Sequence, residues 1–358
     1  MFTLDGKKIA IIGGTGSLGK ALIRRLLAGS LGLPRKILIM SRDEAKQHDL
    51  RVEYGCGRSV GGVATEEGLY SNFNRLLEFR IGDARDRSSV RAALLDADVV
   101  VFAAALKQVP SCEYFPYEAV QTNIQGAENV VRVIREDRLP VEVVVGISTD
   151  KACEPTSAMG ATKLLQERVF TAANLLTPHT RFVLVRYGNV LASRGSVVPL
   201  FRAQLSAGGP LTVTDPTMTR FFMPLEGAVD TVHHALLHAR PGDIIVPKIP
   251  SACIMDVARA FARPSGARIE IIGTRPGEKQ HEILISAVEA PRARACGADF
   301  FRVLPVLPEL GIDDGAPHPL THAYGSDTAP LDLEGVTALL AAHGLLSPAG
   351  KEQGETLR

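Results

Sequence analysis

Residues 148–163 of this 358-residue chain read STDKACEPTSAMGATK and hold the side chains best suited to chemistry: Thr149, Asp150, Lys151, Met159 and Lys163. Asp150 and Lys151 put a carboxyl group and an amine side by side. Taken alone, TDK reads as a helix-capping loop with a surface lysine. Met159 and Lys163 stand four apart at what reads as the start of a helix, so they share a face. A thioether cannot take a proton, so any base on that face is not Met159.

A second stretch, IAIIGGTGSLGKALIRRLL, places Gly13, Gly16 and Gly19 at GxxGxxG spacing between a strand and a helix. Such glycines allow a tight turn and a close backbone approach, so that a pyrophosphate can rest on the helix N-terminus. Glycines alone are weak evidence, but the flanking strand and helix make this a nucleotide-binding loop. Thr15, Ser17 and Leu18 belong to the same loop and join the cofactor contacts. The second strand ends ILIMSRDE, with Ser41 and Arg42 where an NAD site usually has an acid for the ribose diol. A guanidinium suits a 2′-phosphate, so NADP is the expected cofactor; Asp43 and Glu44 follow at once and leave NAD open. Asp83, in IGDARD, is placed to accept from an adenine amino group. Ala84 beside it, and Ala103 and Ala104 after the fourth strand, complete the expected cofactor contacts.

The elements that must position these residues are legible. Apolar, β-branched runs recur at KIAIIG, KILIMS, LEFRIG, DVVVFAAA, VEVVVGIST and RFVLVRYG, separated mostly by amphipathic segments at 17–28, 88–96, 118–137 and 158–175. Strands apolar throughout that alternate with helices predict a parallel sheet covered on both faces. The fold class is α/β: a Rossmann-type doubly wound parallel sheet with a smaller C-terminal substrate-binding lobe. Residues 1–190 are expected to form the NADP-binding domain, with 225–260 returning to it through a helix at about 225–239. Residues 191–224 and 261–330, with a strand at RIEIIG, are expected to form the lobe. Residues 53–73 read as a surface insertion and 347–358 as a flexible tail.

Whole-chain properties exclude several classes. A net charge of +1 and a pI near 7.7 give no strong field for nucleic acid or a membrane surface. No apolar run approaches a membrane span, and the N-terminus has no signal-peptide layout. The five cysteines, Cys56, Cys112, Cys153, Cys253 and Cys296, form no CxxC pair, which fits a reducing cytoplasm. His234 and His238 stand at i,i+4 spacing with no third ligand nearby, so a helix surface is expected there and no metal.

Several segments together resemble the extended short-chain dehydrogenase/reductases, and within them the UDP-N-acetylglucosamine 4,6-dehydratases of bacterial polysaccharide and glycan biosynthesis. They are GGTGSLGKAL, SRDEAKQ, AAALKQVPSCEYFPYEAVQTN, STDKA, RYGNVLASRGSVVPLF, TDPTMTRFFM, VPKIPS and GTRPGEKQHEILIS, in family order over roughly residues 5–290. The resemblance implies transient oxidation at carbon 4 of the sugar, loss of water across carbons 5 and 6, and hydride return to carbon 6. It matches Asp150 to the acid for the leaving 6-hydroxyl and Lys151 to the base at carbon 5. Asp150 must then stay protonated and Lys151 needs a depressed pKa; burial is expected to push both the required way. Thr149 would bond the 4-hydroxyl and Lys163 the nicotinamide ribose.

Met159 replaces the family's usual Tyr, and Ser157 stands where many relatives carry Asn. A branch of the family itself carries Met there, and Asp150, Lys151 and Lys163 remain, so an active enzyme is expected. The 4-hydroxyl proton must leave through Thr149, Lys163, the ribose or a water. On the substrate side, the resemblance places Asn189, Arg194, Arg275 and Glu278 near the nucleotide diphosphate and ribose. Lys107 would lie at the rim near the sugar, with Arg220 as a further candidate. A UDP-sugar substrate and a homo-oligomer follow from the same resemblance, and a cytoplasmic location follows from the cysteine pattern. An epimerase, an alkene-forming dehydratase on another nucleotide sugar, and an NADP-binding protein without turnover remain as alternatives.

Overall fold

The computed structural model describes residues 2–55, 76–191, 196–274, 277–311 and 315–346. The six apolar runs form parallel strands β1 (Lys8–Ile12), β2 (Lys36–Ser41), β3 (Leu77–Ile81), β4 (Val99–Phe102), β5 (Val143–Ile147) and β6 (Arg181–Val185). They lie side by side in the order β3-β2-β1-β4-β5-β6 within a nine-stranded sheet. That is the doubly wound order, in which the chain reverses direction across the sheet between β1 and β4. The period of two is visible in β1: Ala10 and Ile12 pack into the core on one face, Ile9 and Ile11 into the core on the other. Both faces are covered, which is why these strands are apolar throughout rather than alternating.

Helices fall where the sequence predicts them. Helix α1 (Ser17–Leu27) follows β1, Arg87–Leu94 precedes β4, and Ala158–Leu176 precedes β6. The expected helix at 118–137 is broken: Pro116–Ala119 runs into a π-helical turn, Val120–Gln125, and then into Gly126–Glu136. The turn is functional in packing, because it buries Asn123. The Asn123 side chain accepts from Leu106 N at 2.9 Å and donates to Leu106 O at 3.1 Å and to Thr162 Oγ1 at 2.9 Å. This links the loop after β4 to the Ala158–Leu176 helix.

A second apolar core, built on Phe201, Leu211, Phe222, Phe261 and Leu340, belongs to the smaller lobe. Its boundaries differ from the expected ones in two places. Ser251–Cys253 pairs with Thr219–Met223, and the Ile254–Ala262 helix packs in the second core instead of returning to the first. The hairpin Ala293–Cys296 and Phe300–Val303, expected in the lobe, extends the large sheet antiparallel to Ile244–Pro247, because Phe301 and Val303 pack into its core. The RIEIIG strand, Ile269–Ile271, pairs with Leu211–Val213.

His234 differs from the expected helix-surface residue. It is half-buried, stacks on Phe300 at 4.0 Å, and lies 3.1 Å from Cys296 Sγ through Nε2. Burial pushes its pKa down to about 4. Among the described residues no group of His, Cys, Asp or Glu could hold a metal ion, and no helix is long and apolar enough to cross a membrane. The expected tail at 347–358 and nearly all of the expected insertion at 53–73 lie outside the described residues.

Candidate active site

The glycine loop opens the crevice between β1 and β4. Gly13 has φ +86°, and a Cβ there would sit 2.6 Å from Ala104 N. A Cβ at Gly19 would sit 2.2 Å from Gly14 O. Side chains at either place would force loop, helix and the β4 loop apart. A Cβ at Gly16 would meet Gly13 O at an ordinary 3.4 Å, and the glycine instead leaves the α1 N-terminus without a side-chain cap. A cradle that a Cβ would fill, against unpaired helix N–H groups, fits the pyrophosphate of a dinucleotide.

From this crevice a cavity of about 1050 Å³ runs past the end of β5 to the lobe. Thr15, Ser17, Leu18, Ala84, Ala103 and Ala104 line it, with Gly13, Gly16 and Gly19. So do Ser41, Arg42 and Asp83 at the tips of β2 and β3, joined by Lys46, which sequence reasoning did not single out. The Arg42 side chain is 54% exposed, with Nη1 3.7 Å from Asp83 Oδ2. Asp83 also accepts from the backbone N–H and Nε of Arg85, both at 2.9 Å. Burial raises its pKa, but the Arg85 hydrogen bonds and the two arginine charges outweigh burial and lower it.

At the end of β5 the chain turns through Thr149 into a short 3₁₀ turn, Asp150–Ala152. Gly160, in the next helix, would put a Cβ 2.2 Å from Lys151 O, so this bare position lets the helix press against the turn. Thr149 and Lys151 line the cavity, while Asp150 is fully buried behind them. Asp150 Oδ1 accepts from Thr149 Oγ1 at 2.7 Å and from Lys151 Nζ at 3.1 Å; Oδ2 is buried without a partner among the described residues. Burial raises the Asp150 pKa, opposed by Lys151. A proton on Oδ2 relieves the cost of a desolvated, unpartnered anion. The direction of the Asp150 shift is the one expected from burial.

The Lys151 expectation does not hold. Burial lowers its pKa, but the Asp150 and Glu282 carboxylates outweigh burial and raise it. Nζ lies 3.0 Å from Glu282 Oε1 and also donates to Asn189 Oδ1 at 3.3 Å. The reason for the difference is the charge of Asp150, joined by that of Glu282, which sequence reasoning missed.

Lys163 is buried on the same helix as Met159. Its Nζ donates to Ile147 O at 2.7 Å and Gln166 Oε1 at 2.9 Å, leaving one proton to give. Burial lowers its pKa to about 8. Met159 is 3% exposed, packs with Cys112 and Ala119, and lines the cavity as an apolar wall. Ser157 caps the helix by accepting from Gly160 N at 3.2 Å.

Lys107, Asn189, Arg220 and Glu278 line the cavity toward the lobe; Arg194 and Arg275 lie outside the described residues. Arg220 is more structural than expected. Its guanidinium donates to Thr219 O at 2.7 Å, Lys279 O at 2.8 Å and Gln280 O at 3.1 Å, holding the turn that carries Glu282.

Beneath the site lies a buried ion cluster. Arg186, fully buried, bonds Glu167 at 2.6 Å and Glu289 at 2.8 Å. Glu167 accepts from Ser148 Oγ at 2.5 Å, next to Thr149, and Glu289 accepts from Cys153 Sγ at 3.5 Å. The cluster thus pins the active turn at both ends. Its signal in the sequence is a charge closing the apolar run RFVLVRYG.

A family of polysaccharide biosynthesis proteins matches residues 9–302. The chain belongs to this family. Its members are extended short-chain dehydrogenase/reductases of the nucleotide-sugar-modifying kind, which agrees with the sheet order and glycine cradle. Among its relatives, a UDP-glucose 4-epimerase of Rickettsia prowazekii (strain Madrid E) is 42% identical over 302 residues, 83% of this chain and 82% of the relative. A UDP-glucose 4-epimerase of Rickettsia akari (strain Hartford) is 41% identical over the same span, with the same coverage of each chain. Pen from Bacillus thuringiensis superposes with a TM-score of 0.83 at 33% identity, covering 97% of this chain and 100% of that one. The dTDP-glucose 4,6-dehydratase DesIV from Streptomyces venezuelae, solved with NAD and TYD bound, has a TM-score of 0.63 at 20% identity. That match covers 76% of this chain and 86% of DesIV, and it shows a shared fold.

Proposed function

We propose that this family member is an NADP-dependent nucleotide-sugar 4,6-dehydratase acting on a UDP-sugar, with UDP-N-acetylglucosamine as the first substrate to test. One observation carries the reading: the carboxyl of Asp150, buried directly behind the cavity wall with its pKa raised by burial, lies 3.1 Å from the amine of Lys151, which lines the cavity. Elimination of water needs an acid and a base at neighbouring carbons. Epimerisation at carbon 4 needs only hydride removal and return with the sugar turned over.

The bound dinucleotide would accept hydride from carbon 4 and return it to carbon 6. The chain supplies the protons. Thr149 bonds the 4-hydroxyl and is held in place by its 2.7 Å bond to Asp150. The 4-hydroxyl proton leaves to water in the open cavity, Asp150 gives its own proton to the departing 6-hydroxyl, which leaves as water, and Asp150 is reprotonated from solvent before the next turnover. Lys151 takes the carbon 5 proton and later restores it. Lys163 fixes the nicotinamide ribose, and Met159 closes the pocket without entering the proton path.

The names of the Rickettsia relatives favour a second reading, a UDP-sugar 4-epimerase. Incubation with UDP-N-acetylglucosamine and UDP-glucose, read by mass spectrometry, separates the two. Loss of one water supports dehydration; conversion at unchanged mass supports epimerisation and overturns the dehydratase reading.

For the cofactor, the exposed Arg42 and neighbouring Lys46 favour a 2′-phosphate. Arg42→Ala should weaken NADP⁺ binding by ~1.5–3 kcal/mol, the worth of a charged hydrogen bond, and leave NAD⁺ nearly unchanged in titration calorimetry. Equal losses for both would remove the argument. For assembly, Tyr114 (82% exposed), Phe115 (63%) and Tyr117 (69%) form an apolar surface next to the cavity-side helices. Patches of this kind mark association, so light scattering at micromolar concentration should give a multiple of 38.3 kDa. A monomer would count against a homo-oligomer.

A further inference from the structure

We propose that Glu282, at the entry to the strand Ile283–Ile285, is a positioning residue for Lys151: it aims the amine and favours its ammonium form. This rests on the dehydratase reading, in which Lys151 is the base at carbon 5.

Glu282 stands just before the strand Ile283–Ile285, 2% exposed and on the cavity wall. Its backbone is clamped in both directions by Ser326. Glu282 N donates to Ser326 Oγ at 2.9 Å, and Ser326 N donates to Glu282 O at 2.8 Å. Ser326 Oγ is itself 2.7 Å from Thr219 Oγ1, so the carboxylate has little freedom to drift. Oε1 meets Lys151 Nζ at 3.0 Å and Arg220 Nε at 3.7 Å, while Oε2 is buried without a partner among the described residues.

The ammonium of Lys151 therefore has one acceptor for each N–H: Asp150 Oδ1, Glu282 Oε1 and Asn189 Oδ1. An amine with all three protons engaged cannot take a fourth. It becomes a base only by releasing one, and the charges around it set how readily. Those charges are Asp150 on its own turn, Glu282 before Ile283–Ile285, Arg220 on Thr219–Met223, and Lys279, which acts on Glu282. Glu282 is the carboxylate that meets the amine from the cavity wall, 3.0 Å from Nζ. It favours the charged amine, so removing its charge should let Lys151 lose its proton at lower pH.

The test uses the full chain saturated with dinucleotide. Lys151 is titrated by NMR of ¹⁵N-labelled lysine side chains and assigned by its loss in Lys151→Ala. Glu282→Gln keeps the shape without the charge and should lower the Lys151 midpoint by about one pH unit or more. Glu282→Asp withdraws the carboxylate by one methylene and should lower it less. The acid limb of kcat against pH should move to lower pH in the same order, with KM changed less than about threefold, as expected of a group that does not bind substrate. Any other order of midpoints than wild type above Asp above Gln overturns the proposal. If Glu282→Gln does not fold, the wild type against Glu282→Asp decides alone. A wild type that dehydrates no UDP-sugar sinks the dehydratase reading, while the Lys151 midpoints still judge Glu282.

Discussion

Lys151→Ala and Asp150→Asn are each expected to lower turnover of the UDP-sugar by ~10²–10⁴-fold, the range for a positioned acid or base. Cofactor binding should survive both changes, because neither side chain faces the glycine cradle. Asp150→Asn keeps the volume and the bond from Thr149 but cannot give up a proton from Oδ2. Lys151→Ala leaves Glu282 and Asp150 facing each other without the cation between them, so folding must be checked alongside rate. Met159→Ala removes a 3%-exposed apolar wall packed on Cys112 and Ala119. It should cost far less in rate than Lys151→Ala, provided the helix start stays packed. Met159→Tyr restores a phenol beside Lys163 in a pocket shaped for a thioether, and no large gain is expected. The decisive comparison is product formation by Met159→Ala against Lys151→Ala, with dinucleotide binding measured in both. A methionine variant more damaged than the lysine variant would show that the proton path does not run through residues 149–151.

The second large effect is on stability. Arg186→Met should destabilise the fold by ~3–5 kcal/mol, the cost of leaving buried charges without their partner. Arg186 is fully buried between Glu167 and Glu289, so no water replaces it. Denaturant unfolding with a normal slope and a lowered midpoint would register the loss. The same pair gives a pH signature. Burial alone would raise the Glu289 pKa, but Arg186 and the Ser286 N–H hold it at about 2, below its ordinary 4.5. A carboxyl with a depressed folded pKa contributes stability in full above its ordinary value and loses it as pH falls through the folded value. The wild type should therefore lose stability between about pH 4.5 and pH 2, and Arg186→Met should show much less of that decline. A variant as stable as wild type at neutral pH would mean that the cluster contributes nothing net.

The large sheet was legible because burial on both faces writes an uninterrupted apolar run, and six such runs gave six parallel strands. The glycine cradle was legible because sterics there admit no other residue: Gly13 and Gly19 are fixed by backbone atoms at 2.6 and 2.2 Å. The lobe boundary was harder. Whether the 293–303 hairpin joins one sheet or the other depends on where Phe301 and Val303 find a core, and alternation alone does not say which. In the active turn, residue types marked Asp150 and Lys151, but the charge state of Lys151 depends on an acid 131 positions away in sequence. Glu282 and Arg186 both read locally as polar ends of apolar strands. Their importance arises from pairing across the tertiary structure, which no local pattern records. The π-helical turn was hidden for the same reason: its helical periodicity is ordinary, and only the bonds of Asn123 to Leu106 and Thr162 mark it.

The contact between Glu282 and Lys151 also limits how far this architecture is modular. A chimaera that keeps residues 1–190 and grafts a relative's C-terminal part to change which sugar is accepted would import a different neighbour for the amine along with the new pocket. With Glu282 in its proposed role, sugar choice and proton affinity at Lys151 would be inherited together. A transplanted part lacking an acid at the position of Glu282 would yield a hybrid with an altered working pH as well as an altered appetite for substrate.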